Sequence, residues 1–289
     1  MFSRATAACP SDGDTLLRAT FQLVPGLGPT RERGLWQAGV TDWDHWSAAG
    51  AAPGIVPPAL GEKLARATAA ASAALAARDL PALARALPTR EMWRLYGAFA
   101  DRAVYLDIET DRRDVDSPDG ITAIGLYDGG GPRILLAGRD LHHFPDLVPH
   151  DCLLVTFNGA CFDVPVLRRV FPDWQAPPAH IDLRPVWTRL GQWGGLKLIE
   201  DRVGIGRPDH LRGLTGSAAV WLWRDAQNGN RRALQRFAEY NLYDTVNLRT
   251  LLVMAHNQLA AETGLAVPAV PSFARGDVLY DVSKLLLAL

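Results

Sequence analysis

The stretch Ala103-Val-Tyr-Leu-Asp107-Ile-Glu109 is an apolar run of strand type that ends in two acids. Side chains two apart on a strand point to the same face, so Asp107 and Glu109 can reach one cation together. Further strand signals lie downstream, at Ile121 to Tyr127, Arg133 to Ala137 and Cys152 to Phe157, with Asp/Gly-rich turns between the first ones. The run Asp128-Gly-Gly-Gly-Pro132 predicts a hairpin-like link. Cys152 to Phe157 is continuously apolar, which predicts a buried central strand. Ile181 to Leu183 is a possible fifth strand. Helices are expected from Phe162 to Val170 and from Arg231 to about Leu259.

Two more constellations accompany the first. Phe157-Asn158-Gly159 turns the apolar strand into a helix that carries Asp163 in its first turn. An acid there complements the helix dipole. It also stands where open α/β sheets place ligands, beyond the carboxyl ends of their strands. Gly159 would let the backbone approach such a ligand closely. On the last long helix, Tyr240 and Asp244 are four residues apart and share a face, whereas Tyr243 points elsewhere.

Composition narrows the remaining choices. The 289 residues carry 30 basic and 31 acidic side chains, which excludes a uniformly basic nucleic-acid-coating protein but leaves a local basic groove open. Lysine occurs only at Lys63, Lys197 and Lys284, so 27 of the basic residues are arginine. Cys9, Cys152 and Cys161 are an odd number with no CxxC spacing, which predicts reduced thiols in a cytoplasmic chain. The N-terminus has no signal-peptide core, and the alanine-rich stretch 67–77 is too short to span a bilayer, so no membrane partner is expected.

The first hundred residues read as helical. Pro29 suits the start of a helix and Gly39 its end, with a second short helix capped by Thr41 and carrying Trp43 and Trp46. Trp36, Trp43 and Trp46 read as core. Leu60 to about Leu87 predicts a helical spacer, and Met92 to Phe99 another helical turn or two. The resulting division is a helical segment over 1–57, a spacer over 58–100, an α/β domain over 101–262 and an unassigned tail over 263–289.

Each constellation is modest alone, but their order is specific. Together they resemble the DEDD-type, DnaQ-like 3′–5′ exonucleases of the ribonuclease H-like superfamily. Asp107 and Glu109 match the first motif, Asp163 the second, and Tyr240 with Asp244 the third in its tyrosine form. The stretches His180-Ile-Asp182-Leu and Gly194-Gly-Leu-Lys197-Leu-Ile-Glu200 resemble the bacterial predicted-exonuclease subfamily. The resemblance spans roughly Ala103 to Leu259. It implies an α/β fold: a mixed five-stranded sheet with its second strand antiparallel, flanked by helices, behind a small N-terminal all-helical domain.

It also implies catalytic roles for Asp107, Glu109, Asp163, Tyr240 and Asp244. The four acids would hold two Mg2+ or Mn2+ ions, and Tyr240 would orient or help deprotonate the attacking water. Crowded carboxylates raise one another's pKa, and cations among them remove that cost. All-oxygen ligands suit magnesium or manganese, and two such ions about 3.5–4 Å apart can clamp the attacking and leaving oxygens. The expected substrate is single-stranded nucleic acid, DNA ahead of RNA, hydrolysed from its 3′ end. The alternatives are an exoribonuclease with the same site and a non-catalytic nucleic-acid-binding module. Asn158 and Gly159 are expected at the substrate. His180 and Asp182 read as strand-end structure, and Lys197 as a solvated helix face. The tip Pro25-Gly26-Leu27-Gly28 resembles a helix-hairpin-helix, which makes Gly26 and Gly28 candidate phosphate contacts; Asp42 and Asp44 nearby would repel phosphate.

Overall fold

The computed structural model describes residues 12–49, 54–111 and 120–271, together with residues 282, 286, 287 and 289. Cys9, most of the turn between the first two strands and most of the tail lie outside the described residues.

The strands are β1 (Ala103–Thr110), β2 (Ile121–Tyr127), β3 (Pro132–Leu136), β4 (Leu153–Thr156) and β5 (His180–Asp182). They form one mixed sheet in the order β3-β2-β1-β4-β5. β2 is antiparallel to β1 and β3, while β4 and β5 run parallel to β1. The expected mixed sheet with an antiparallel second strand is therefore present; β2 has the expected ends, and ends of the other strands differ from the sequence reading by one or two residues.

Alternation along β1 sorts the two faces of the sheet. Val104, Leu106 and Ile108 join a smaller core with Phe144, Val164, Leu167 and Trp174. Ala103 and Tyr105 face the larger core, which holds Phe237, Leu242, Val246 and Leu251 of the long helix Arg231–Glu262. Asp107 and Glu109 continue that second row, so they stand under the long helix where the apolar row ends. β4 is buried throughout, as its unbroken apolar run predicts.

The long helix lies close on β2 because residue 125 is glycine. A Cβ there would fall 2.1 Å from Thr245 Oγ1 and 2.6 Å from Asn241 Oδ1. Gly125 is the register partner of Asp107. This close approach of helix to sheet thus lies beside the first acid.

The helical segment in front shares the larger core, which runs from Leu16 and Phe21 through Trp43 and Trp93 to the long helix. Trp43 and Trp46 are buried there, as expected. Glu32 and Arg94, both nearly fully buried, pair at 2.8 Å. Arg94 also meets Glu91 at 2.8 Å and donates to Thr20 Oγ1 at 3.0 Å. Glu32 accepts from Phe21 N–H and Gln22 Nε2 as well. Among these partners every buried charge has a counter-charge, as burial requires.

Two local expectations change. The spacer is two helices, Pro58–Ala76 and Leu80–Ala86. Arg78 breaks the run with φ +52°, and Asp79 caps the second helix by accepting from Ala82 N–H. The short helix Trp43–Ala49 is started by Asp42, which accepts from Asp44 N–H at 2.7 Å, and not by Thr41. Among the described residues no helix is long and apolar enough to cross a membrane.

Candidate functional site

Carboxylate oxygens of Asp107, Glu109 and Asp244 lie within 4.8 Å of one another, although 135 residues separate the second acid from the third. Two stand on β1 and the third on the long helix. Asp163, the fourth acid singled out from sequence, does not join that group of three. It begins the helix Asp163–Val170, and its Oδ1 accepts from Ile108 N–H at 3.2 Å, between the two acids of β1. Tyr240 lies one turn before Asp244 on the same helix face.

The long helix reaches Asp107 through Asn241, whose Nδ2 donates to Asp107 Oδ2 at 2.9 Å. Asn241 is fully buried, and sequence reading passed over it beside the more conspicuous Tyr240. Its signal is Thr245 at i+4: two polar residues on an apolar helix face, opposite a strand glycine.

Lys197 overturns the expectation of a solvated helix face. Its Nζ donates to Tyr240 Oη and to Asp244 Oδ2, both at 2.8 Å. Arg207 meets the other oxygen of Asp244 at 2.6 Å. Arg207 also makes a two-pronged pair with buried Glu200, at 2.7 Å for each prong, and Asn247 of the long helix donates to Glu200 at 2.9 Å. Asp244 is therefore held from outside by a buried Arg207–Glu200–Asn247 chain.

The charges of the cluster divide accordingly. Burial, and then the carboxylates of Asp244, Glu109 and Asp163, push Asp107 well above the usual range. Burial pushes Asp163 up to about 7, although N–H groups favour its anion. Burial also opposes the charge of Asp244, but Arg207 and Lys197 outweigh it and hold the carboxyl below its ordinary value. Tyr240 is raised by burial and by the surrounding acids, which keeps its proton on.

This donor set fits divalent cations. It is all oxygen, and Asp107, whose charge burial and the neighbouring carboxylates oppose, stands away from the two cations on Asp244, where a bound cation would restore its ionised form. Each oxygen of Asp244 keeps a further lone pair, because a carboxylate accepts at about four positions.

The turn after β4 closes the other side. Asn158 has a left-handed φ of +65°. Asp182 fixes it by accepting from the N–H groups of Asn158 at 2.7 Å and Ala160 at 3.1 Å, and Arg184 donates to Asn158 Oδ1 at 2.9 Å. A Cβ at Gly159 would fall 2.2 Å from Thr156 Oγ1, so only glycine fits. His180 bonds Thr156 Oγ1 at 2.8 Å. Asp182 and His180 are thus the strand-end structure expected of them. Gly26, with φ +91°, and Gly28, which precedes the helix Pro29–Gln37, stand in the hairpin tip and not beside the acids.

No curated protein matches the chain. Among solved structures the EXO domain of Aedes aegypti Nibbler is similar over 68% of this chain and 90% of that one, at 12% identity and a TM-score of 0.33. Residues 104–256, which hold the three clustered acids, Asp163, Tyr240 and Lys197, match the family model described as the RNase_H superfamily, and the chain belongs to that superfamily.

Proposed function

We propose that the chain is a divalent-metal-dependent 3′–5′ exonuclease acting on single-stranded nucleic acid, DNA in preference to RNA. The observation that carries this reading is the convergence of Asp107, Glu109 and Asp244 beside Tyr240, at the carboxyl end of β1. Membership of the RNase_H superfamily agrees with it.

In this reading Asp107, Glu109, Asp163 and Asp244 hold two Mg2+ or Mn2+ ions, with Asp163 reaching in from the start of its helix. Bound there, the ions would offset the charge of the scissile phosphate and of the departing 3′ oxygen. The residues of the chain do the rest. Tyr240 keeps its proton, and its oxygen already accepts from Lys197. Its hydroxyl is therefore placed to donate to the attacking water and orient it. Lys197 adds positive charge beside Asp244, where negative charge grows as water adds to phosphorus. Arg207 fixes the rotamer of Asp244 from behind. Asn158 and Gly159 would face the terminal nucleotide from the turn after β4, and Gly26 and Gly28 would present backbone N–H groups to a phosphate further along the strand.

The test is hydrolysis of matched DNA and RNA 20-mers with Mn2+ and with EDTA, by wild type, Asp107→Asn and Asp244→Asn. The reading expects metal-dependent cleavage, faster on DNA, and a loss of about 10²–10³-fold in each variant. Equal turnover by the variants would remove those acids from the reaction.

A further inference from the structure

A cavity of about 900 Å³ lies outside the acid cluster. It is bounded on one side by the hairpin Gln22–Arg31 and on the other by residues 85–88 and Arg90 of the spacer. Three guanidinium groups line it, those of Arg31, Arg85 and Arg90, and no acid does. In a chain of net charge −1 that is a local concentration of one sign.

The two walls are fixed to one another. Arg90 Nη2 donates to Gln22 Oε1 at 2.7 Å across the groove, while its Nε lies 3.6 Å from the buried carboxylate of Glu91, which Arg94 and Arg189 also share. Beneath it, the buried Glu32–Arg94 pair joins the hairpin helix to the segment that follows Arg90. Arg31 Nη1 donates to Gly26 O and so braces the hairpin tip. Arg85 is exposed and has no hydrogen bond or ion pair among the described residues, so its charge is free for a ligand. The acids expected to repel phosphate are spent elsewhere: Asp42 and Asp44 both pair with Arg18, at 2.8 and 2.7 Å, and neither lines the groove.

We infer that this groove binds the phosphodiester backbone of a nucleic-acid strand, with Arg85 and Arg90 of the spacer supplying ionic contacts to phosphates that pass the hairpin tip. A preformed cavity ringed by guanidinium groups, with glycine backbone on one wall, suits a chain of phosphates more than a compact ligand. The inference takes the identity of its ligand from the nuclease reading of the acid cluster, but the groove shares no residue with that cluster. It makes the front segment a second hold on the strand, at a distance from the end being hydrolysed.

The test uses the full chain in EDTA, where no strand is consumed. Binding of a fluorescein-labelled single-stranded DNA 20-mer is followed by anisotropy from 50 to 300 mM KCl, for wild type, Arg85→Glu and Arg85→Glu/Arg90→Gln. Arg85→Glu changes a side chain that holds nothing in the fold, and an unchanged Tm confirms that each variant is folded. The groove predicts a Kd weakened several-fold by the single variant and about tenfold or more by the double. It also predicts a salt dependence shallower by about one unit of log–log slope for each arginine replaced. Unchanged affinity and slope in the double variant would overturn the inference. So would loss of binding to poly-glutamate alone, which would assign the groove to an acidic protein. Because binding is read without hydrolysis, a failed nuclease reading and a failed groove give different results: binding that depends on the arginines without any cleavage in metal, or cleavage without any dependence of binding on them.

Discussion

Lys197 Nζ lies 2.8 Å from Asp244 Oδ2, so an ammonium shares the carboxylate that closes the acid cluster. Asp244 consequently stays ionised while Asp107, the acid with no cation of its own among the described residues, is pushed toward its neutral form. The site is thus electrostatically lopsided: one end is satisfied by Lys197 and Arg207, and the other calls for a cation.

Replacing Lys197 separates those two ends. Lys197→Met removes the partner of Tyr240 and the charge beside Asp244. We expect kcat/KM to fall about 10–100-fold, as for other groups that orient a site. Mn2+ should at the same time bind more tightly, because a competing positive charge is gone. Titration calorimetry with Mn2+ beside a hydrolysis assay reads both. A variant unchanged in both would reduce Lys197 to packing.

Gly125→Ala tests how the long helix is seated. The added methyl would fall 2.1 Å from Thr245 Oγ1, so the helix must move or Thr245 must leave its rotamer. Overpacking of this kind costs about 1–3 kcal/mol. Because Asn241 and Asp244 ride on the same helix, activity should fall more than stability does. A fully active Gly125→Ala enzyme would show that the approach of helix to strand does not set the acid geometry.

The buried Glu32–Arg94 pair makes the front segment part of the fold. Glu32→Ala takes from the Arg94 guanidinium one of its two buried counter-charges, leaving Glu91, and leaves Phe21 N–H without its acceptor. The expected cost is about 3–5 kcal/mol, equivalent to a fall in Tm of about 10 °C. For the same reason a chain lacking residues 1–57 should fail to fold cooperatively, since Leu16, Phe21 and Trp43 leave the core with it. A change below about 2 °C in Glu32→Ala would contradict this.

His256 supplies a pH dependence away from the acids. It is buried, with Trp93 and Tyr96 edge-on at 5.8 and 5.7 Å, and burial lowers its pKa. The unfolded chain, with a histidine pKa of about 6.5, therefore binds more protons than the folded one on acidification. The stability contributed by the neutral ring is present above that value and is lost as pH falls through it. Compared with wild type, His256→Phe should gain stability on going from pH 7.5 to 5.5, measured by urea unfolding at each pH. A constant difference between the two proteins would exclude His256 as the source.

Much of this was legible in the sequence because local pattern and tertiary role agree. β2 spans the residues its apolar run marks, and the alternation in β1 places Asp107 and Glu109 on one face. The i, i+4 spacing puts Tyr240 and Asp244 on one side of the long helix. The rest depends on which elements meet. Glu200 and Arg207 carry no local signal of burial, and they pair beneath Asp244 only because their segment folds onto the long helix. Lys197 carried one faint signal: a lysine in a chain that otherwise uses arginine. An ammonium fits between Tyr240 and Asp244 as a compact point charge, where a planar guanidinium has a different shape and reach. The spacer break at Arg78 was hidden because the alanine-rich run before it and the Leu/Ala-rich stretch after Pro81 both favour helix.

The most direct test of the account labels a single-stranded DNA 20-mer at its 3′ end in one sample and at its 5′ end in another. Each is incubated with the full chain and Mn2+, then with EDTA. The account predicts immediate release of the 3′ label as a mononucleotide, a descending ladder from the 5′-labelled strand, and no reaction in EDTA. Intact strands in Mn2+, for DNA and for a matched RNA, would contradict the claim that the cluster of Asp107, Glu109 and Asp244 is a nuclease centre.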